Sequence, residues 1–160
     1  MGGILMARYN SVKTYGHDVG LSCAFRQWRA ESHCRFMHGY SLSFEFVFAA
    51  DELDNKNWVV DFGGLKRLKR WLKQHFDHKT AVAFDDPMYE TFERMHNDGI
   101  IDMVAVESTG CEKFAEMAWN FADSMIQELY GNRCWVESVT VREHGANSAI
   151  YRSEDNAHRD

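Results

Sequence analysis

The sequence predicts an α+β domain of two layers, with amphipathic helices laid on one face of a sheet. Three observations carry that expectation. Residues 41–48 alternate strictly, with Leu42, Phe44, Phe46 and Phe48 on one side and Ser41, Ser43 and Glu45 on the other, the period of a half-buried antiparallel strand. Leu65, Leu68, Leu72 and Phe76, and later Phe114, Phe121, Met125 and Leu129, recur at helical spacing. These segments interleave along 160 residues, the size of one domain, and such helices need a sheet face to cover.

The elements follow in order. Residues 1–15 have weak periodicity, and Met6-Ala7-Arg8 reads equally as a true start behind a short leader. Residues 21–26 form a short strand, followed by a polar loop at Ala30 to Ser32 and the alternating strand 41–48. Asp51 to Asn57 is a turn, and Trp58 to Asp61 returns as extended chain. Gly63-Gly64 opens the first helix, whose outer face carries Lys66, Arg67, Lys69, Arg70 and Lys73, a solvated charge run. After the loop at Asp85-Asp86-Pro87 a short amphipathic piece, Tyr89 to His96, leads to a strand over Ile101 to Val106. The long helix spans Gly110 to Tyr130, the next strand Val136 to Arg142, and Ala149 to Arg152 extends the sheet. Residues 153–160 are polar and expected to fray. The whole chain, 1–160, reads as a single domain with its core over about 20–152. Nothing in it supplies a third layer, so other copies of the chain are the simplest cover for the bare sheet face.

Composition narrows the function. Hydrophobic residues make up 45% and charged residues 26%, which excludes a disordered chain. Eighteen Lys and Arg against 24 Asp and Glu give a net charge of −6, so neither a nucleic-acid partner nor a membrane-surface partner is expected. Cys23, Cys34, Cys111 and Cys134 contain no CxxC pair, which excludes a zinc ribbon or thioredoxin-like site. No apolar run reaches the length of a membrane span and no basic-apolar leader stands at the start. The cytoplasm is the expected location, with free thiols.

Reactive side chains gather in three places: Cys34 to Tyr40, Phe76 to Lys79, and Val141 to Ser148. Each lies at the end of a strand or helix, where rigid elements hand residues to a shared cleft. Singly each has a plain structural explanation: a buried thiol, a helix-capping histidine, a solvated carboxylate. Together a thiol, an Asp beside a His, and a further carboxylate suit proton abstraction next to a carbonyl or hydroxyl. An Asp bonded to imidazole fixes its tautomer, and a thiolate can move a proton on the opposite substrate face.

Cys34-xxx-His38-Gly39, Asp61-Phe62-Gly63-Gly64-Leu65-Lys66, Phe76-Asp77-His78, and Val141-Arg142-Glu143 through Ala149-Ile150-Tyr151 stand in the order and spacing of motifs of the 6-pyruvoyl-tetrahydropterin and 6-carboxy-tetrahydropterin synthase family. The chain resembles that family over roughly residues 20–152. The resemblance implies the tunnelling fold: a four-stranded antiparallel sheet with two helices on one face, closing with other copies into a β-barrel as a trimer or hexamer. It implies that Cys34, Asp77 and His78 are catalytic, with members of the Asp–His pair reaching the site across a subunit boundary, and that Glu143 binds the pterin. It implies a lyase turning 7,8-dihydroneopterin triphosphate into 6-carboxy-tetrahydropterin, with loss of acetaldehyde and triphosphate, on the way to 7-deazaguanine (the queuosine route). Two alternatives stay open. One is another pterin enzyme of the same fold, either a pyruvoyl-tetrahydropterin synthase or a zinc-independent aldolase or epimerase. The other is an inactive pterin-binding oligomer. No nucleotide or flavin cofactor is expected. The family holds a zinc on three histidines, of which His38 alone remains; the other positions read Phe25 and Tyr40. Cys23, two residues before Phe25, is a substitute ligand on the same strand face, with His33 or Tyr40 as a third donor. The expectation is weak zinc binding or none.

Overall fold

A computed structural model describes residues 8–152. The start at Met6-Ala7 and the frayed tail 153–160 lie outside the described residues. Seven strands form one mixed sheet: β1 Tyr9–Tyr15, β2 Leu21–Phe25, β3 His38–Ala50, β4 Lys79–Ala83, β5 Met103–Val106, β6 Cys134–His144 and β7 Asn147–Arg152. Three helices accompany them, α1 Lys66–Phe76, α2 Tyr89–Asn97 and α3 Cys111–Tyr130. The order is β5-β4-β2-β3-β6-β7, and β1 lies along the same edge of β3 as β2. Residues 44–50 of β3 meet β1, and residues 38–42 meet β2.

The expected four-stranded antiparallel sheet with two helices is therefore corrected to seven strands and three helices. An antiparallel run of four does exist, β1-β3-β6-β7. Beyond it β2, β4 and β5 add a parallel wing. Trp58 to Asp61 is not a strand; Val59 and Val60 are buried as an irregular segment. Arg133 pins it by donating to the carbonyls of Trp58 at 3.3 Å and Val59 at 2.7 Å.

The core lies between the sheet and helices α1 and α3. Leu42, Phe44, Phe46 and Phe48 all point into it with no exposed area, each burial contributing about 1.5–3 kcal/mol. They meet Leu68, Leu72 and Phe76 of α1 and Phe114, Met125 and Ile126 of α3 in one cluster. The expected stripe of α3 is rotated. Ala115, Ala118 and Ala122 are fully buried, whereas Leu129 is exposed, because small residues let the helix axis approach the sheet closely. Phe121 leaves the core to stack on Trp71 of α1, 4.7 Å between centroids.

On the opposite sheet face Ser43, Ser138 and Thr140 are buried, whereas the flanking strands are open. Val12 stands opposite Val47, Glu45 opposite Thr140, and Thr140 opposite Ile150, with Val12 and Ile150 about half exposed. Arg142 reaches across this face to Glu45, 3.6 Å away. No described helix is long and apolar enough to cross a membrane.

Candidate active site

Cys34 sits on a compact connection between β2 and β3. The turn His33–Arg35 starts at Ser32, whose hydroxyl accepts from the Cys34 N–H at 3.4 Å. The connection is closed on itself by the Gln27 N–H donating to the Cys34 carbonyl at 3.0 Å. Cys34 is only half-buried, whereas Cys23, Cys111 and Cys134 are buried. Burial pushes the Cys23 and Cys111 thiols up to about 12 and Cys134 to about 11, so those three stay protonated and inert at neutral pH.

An ion pair braces the turn. The Arg26 guanidinium grips both oxygens of Asp86, at 2.8 and 2.5 Å, and also reaches the Arg35 carbonyl at 3.5 Å. Burial pushes the Asp86 carboxyl up, but the Arg26 hydrogen bonds, the Met88 N–H and the Arg26 charge outweigh it and hold it below the usual range. Removing Arg26 strands a buried carboxylate, so Arg26→Met is expected to cost about 3 kcal/mol, read as a lowered urea midpoint. Because the folded value is depressed, that stabilisation is present above the unfolded value. It is lost as pH falls below about 4 and through the folded value, so the gap between wild type and variant narrows there.

Glu143, next to last on β6, faces the N-terminal turn of α3. With Gln27, Cys111, Glu112, Asn147 and Ser148 it lines a cavity of about 200 Å³. Gly110 permits the close approach of Gln27: its φ of +112° suits glycine, and a Cβ there would lie 2.3 Å from the Gln27 amide nitrogen. The Cys111 thiol owes its high value first to burial, then to the Glu143 and Glu112 carboxylates beside it. A cavity lined by two carboxylates and no cation favours a ligand rich in N–H donors. Gln27 also lines a neighbouring cavity of about 380 Å³ with Trp28, Arg29, Asp85 and Thr109.

Tyr40 stands near the residues of this cavity, its ring 6.0 Å from that of His144, the neighbour of Glu143. Burial, then the charges of Glu143, Cys34 and Cys111, raise its phenol above the ordinary value. Its ring meets His38 edge-on at 5.4 Å, Phe25 at 6.3 Å and His144 at 6.0 Å. Gly39 lets β2 and β3 close up beneath these rings, since a Cβ there would lie 2.7 Å from the Cys23 carbonyl. The His38 Nδ1 lies 2.7 Å from the Phe36 carbonyl, which can only accept, so Nδ1 is the donor there.

Asp77 and His78 follow α1. His78 holds φ +56°, an uncommon conformation for a residue with a Cβ. Its Nδ1 donates to Asp77 Oδ1 at 2.6 Å, leaving Nε2 as a base. The imidazole is 87% exposed, and no hydrogen bond or ion pair among the described residues joins the pair to Cys34 or Glu143. One chain thus sets the Tyr40 ring between His38 and His144, beside Glu143, while the exposed imidazole of His78 stands just before β4, whose Lys79 pairs with Cys23. The sequence reading missed Cys111, Gln27 and Glu112 as cavity residues; they come from a helix start and a loop without a motif of their own.

The donor set does not fit a zinc. Among the described residues no group of three or more His, Cys, Asp or Glu side chains could hold a metal ion. Phe25 puts a buried phenyl ring beside His38, 5.6 Å between centroids. Cys23 faces the core at 1% exposure, with its thiol directed to the Ala24 carbonyl at 3.7 Å.

Comparison with known proteins matches residues 17–154 to the family model described as 6-pyruvoyl tetrahydropterin synthase. A protein named 6-carboxy-5,6,7,8-tetrahydropterin synthase from Rickettsia conorii is 37% identical over 57 residues, 35% of this chain. The match spans 41% of that relative's length. One of the same name from Aquifex aeolicus is 26% identical over 145 residues, 88% of this chain and 86% of that protein. The fold is similar to a crystal structure of an uncharacterized Wolinella succinogenes protein, with TM-score 0.79, 21% identity, and coverage of 92% of this chain and 99% of that one. It is also similar to Plasmodium vivax 6-pyruvoyl tetrahydropterin synthase, with TM-score 0.68, 15% identity, and coverage of 92% and 98%.

Proposed function

The chain belongs to the 6-pyruvoyl tetrahydropterin synthase family, and from that premise we propose that it is a lyase of the 6-carboxy-tetrahydropterin synthase type. Its substrate is 7,8-dihydroneopterin triphosphate. Water is consumed, and the products are 6-carboxy-tetrahydropterin, acetaldehyde and triphosphate, which places it on a route to 7-deazaguanine. The observation that carries the reading is the cavity lined by Glu143 and Glu112, set beside the Tyr40–His144 ring pair on the strand that follows the half-buried Cys34.

Glu143 accepts from the paired N–H donors of the amino-pyrimidine ring, a bidentate contact that sets the pterin's register. The side chain then extends toward Cys34. One proton is handled by the Cys34 sulfur; the other is taken on the opposite face by Nε2 of His78, whose Nδ1–H is held by Asp77. The outward-facing pair serves a neighbouring copy. Among the described residues the outer edges of β1 and β7 pair with no strand, which supports closure with further chains, as a trimer or a stacked pair of trimers.

Incubation with dihydroneopterin triphosphate, followed by mass spectrometry, tests the reaction. Acetaldehyde with a carboxylated tetrahydropterin supports it; a pyruvoyl product, or unchanged bound substrate, refutes it. Glu143→Ala leaves ring donors unpaired and is expected to weaken pterin binding by about 1–3 kcal/mol, roughly 5- to 150-fold. Calorimetric titration with pterin measures it, and wild-type affinity would reduce Glu143 to a strand end.

A further inference from the structure

We propose that the Tyr40 hydroxyl is a catalytic hydrogen-bond donor to the substrate side chain, performing with the protein's own atoms the polarisation for which no three-donor metal site is assembled here. The proposal rests on the reaction assigned above.

Three observations carry it. The Tyr40 ring lies 6.0 Å from that of His144, the residue after Glu143, and 5.4 Å from that of His38 on the strand that follows Cys34, so it stands on the path from the group that holds the ring toward the turn that carries the thiol. Its hydroxyl makes no hydrogen bond among the described residues, although its ring is fixed by contacts with Phe25, His38 and His144. A phenol O–H that is oriented but unpartnered in the free protein is available to a ligand without first breaking a bond. The residues around it cannot instead assemble a metal: Phe25 carries no donor, and the Cys23 thiol is turned to the Ala24 carbonyl.

The chemistry needs such a donor. Once the side chain carries a carbonyl, loss of the neighbouring C–H proton to the base sends the electron pair left behind onto the carbonyl oxygen as an enolate. A preorganised O–H aimed at that oxygen stabilises the charge more than it stabilises the ground state. No bond to Tyr40 forms or breaks. The proton goes to the sulfur or imidazole, and the hydroxyl keeps its own.

The test uses the full chain and Tyr40→Phe, which retains the ring contacts and removes one oxygen. The expected result is a fall in kcat of about 10²- to 10³-fold, with pterin affinity unchanged. Wild-type protein dialysed against a chelator and shown metal-free by elemental analysis is expected to keep its rate. A Tyr40→Phe protein with wild-type kcat, where wild type releases acetaldehyde, overturns the role of Tyr40 alone. Loss of wild-type rate on chelation, restored by one equivalent of zinc, overturns it too. Wild-type protein that releases no acetaldehyde overturns the reaction and this role together.

Discussion

Cys34→Ala is expected to lower kcat by about 10²- to 10⁴-fold, the range for removing a positioned acid–base group, while leaving fold and pterin affinity close to wild type. The separation follows from where the sulfur lies. The turn is held by main-chain hydrogen bonds, from Gln27 to the Cys34 carbonyl and from Cys34 to Ser32, and neither uses the thiol. Cys34 is half-buried, so alanine opens no core cavity. Cys23 and Cys134 are fully packed, and their alanine variants are expected to lose stability and keep kcat. Cys111 lies against Glu143 in the cavity wall, so its alanine variant changes affinity before rate. Single-turnover kinetics beside denaturant titrations separate these cases. A Cys34→Ala enzyme with wild-type kcat would show that the thiol only fills space.

The parts of this architecture that the sequence displays are those whose burial is one-sided. β3 shows its faces plainly because Leu42, Phe44, Phe46 and Phe48 alternate with polar residues, and α1 does so through Leu68, Leu72 and Phe76. β1 does not, since only Tyr15 of its seven residues is buried, and its pairing with β3 joins residues 29 to 41 positions apart. β4 fails for the opposite reason: four of its five residues are buried on both faces of a parallel pair, so no period remains. Cys34, Glu143 and the Asp77–His78 pair are legible because they occupy local motifs. Cys111, Gln27 and Glu112 enter the cavity only when the start of α3 packs beside the end of β6, a contact between segments that have no sequence pattern in common. Tyr40 reads from sequence as the position of a missing zinc histidine; only the fold shows its ring packed between His38 and His144.

Mixing two inactive variants is expected to restore activity. The Asp77–His78 pair is oriented by its own hydrogen bond, yet its imidazole is 87% exposed and makes no hydrogen bond or ion pair to Cys34 among the described residues. Under the proposed function, a base so placed serves a substrate held by another copy. Cys34→Ala and His78→Ala homo-oligomers should therefore each be nearly inactive. Co-refolded in equal amounts, they form some interfaces where an intact Cys34 from one chain faces an intact His78 from its neighbour. Random assembly gives each chain of an interface the required residue half the time, so activity should recover to about one quarter of wild type. If both residues served the same chain's site, every site in the mixture would lack one of them and no recovery would occur. The double variant Cys34→Ala/His78→Ala, co-refolded with wild type, provides the control. One quarter of all its interfaces combine two wild-type chains, and no interface with a double-variant chain is active, so it too should give about one quarter of wild-type activity. The two mixtures agree only if the site is shared, and acetaldehyde release measured on both decides it.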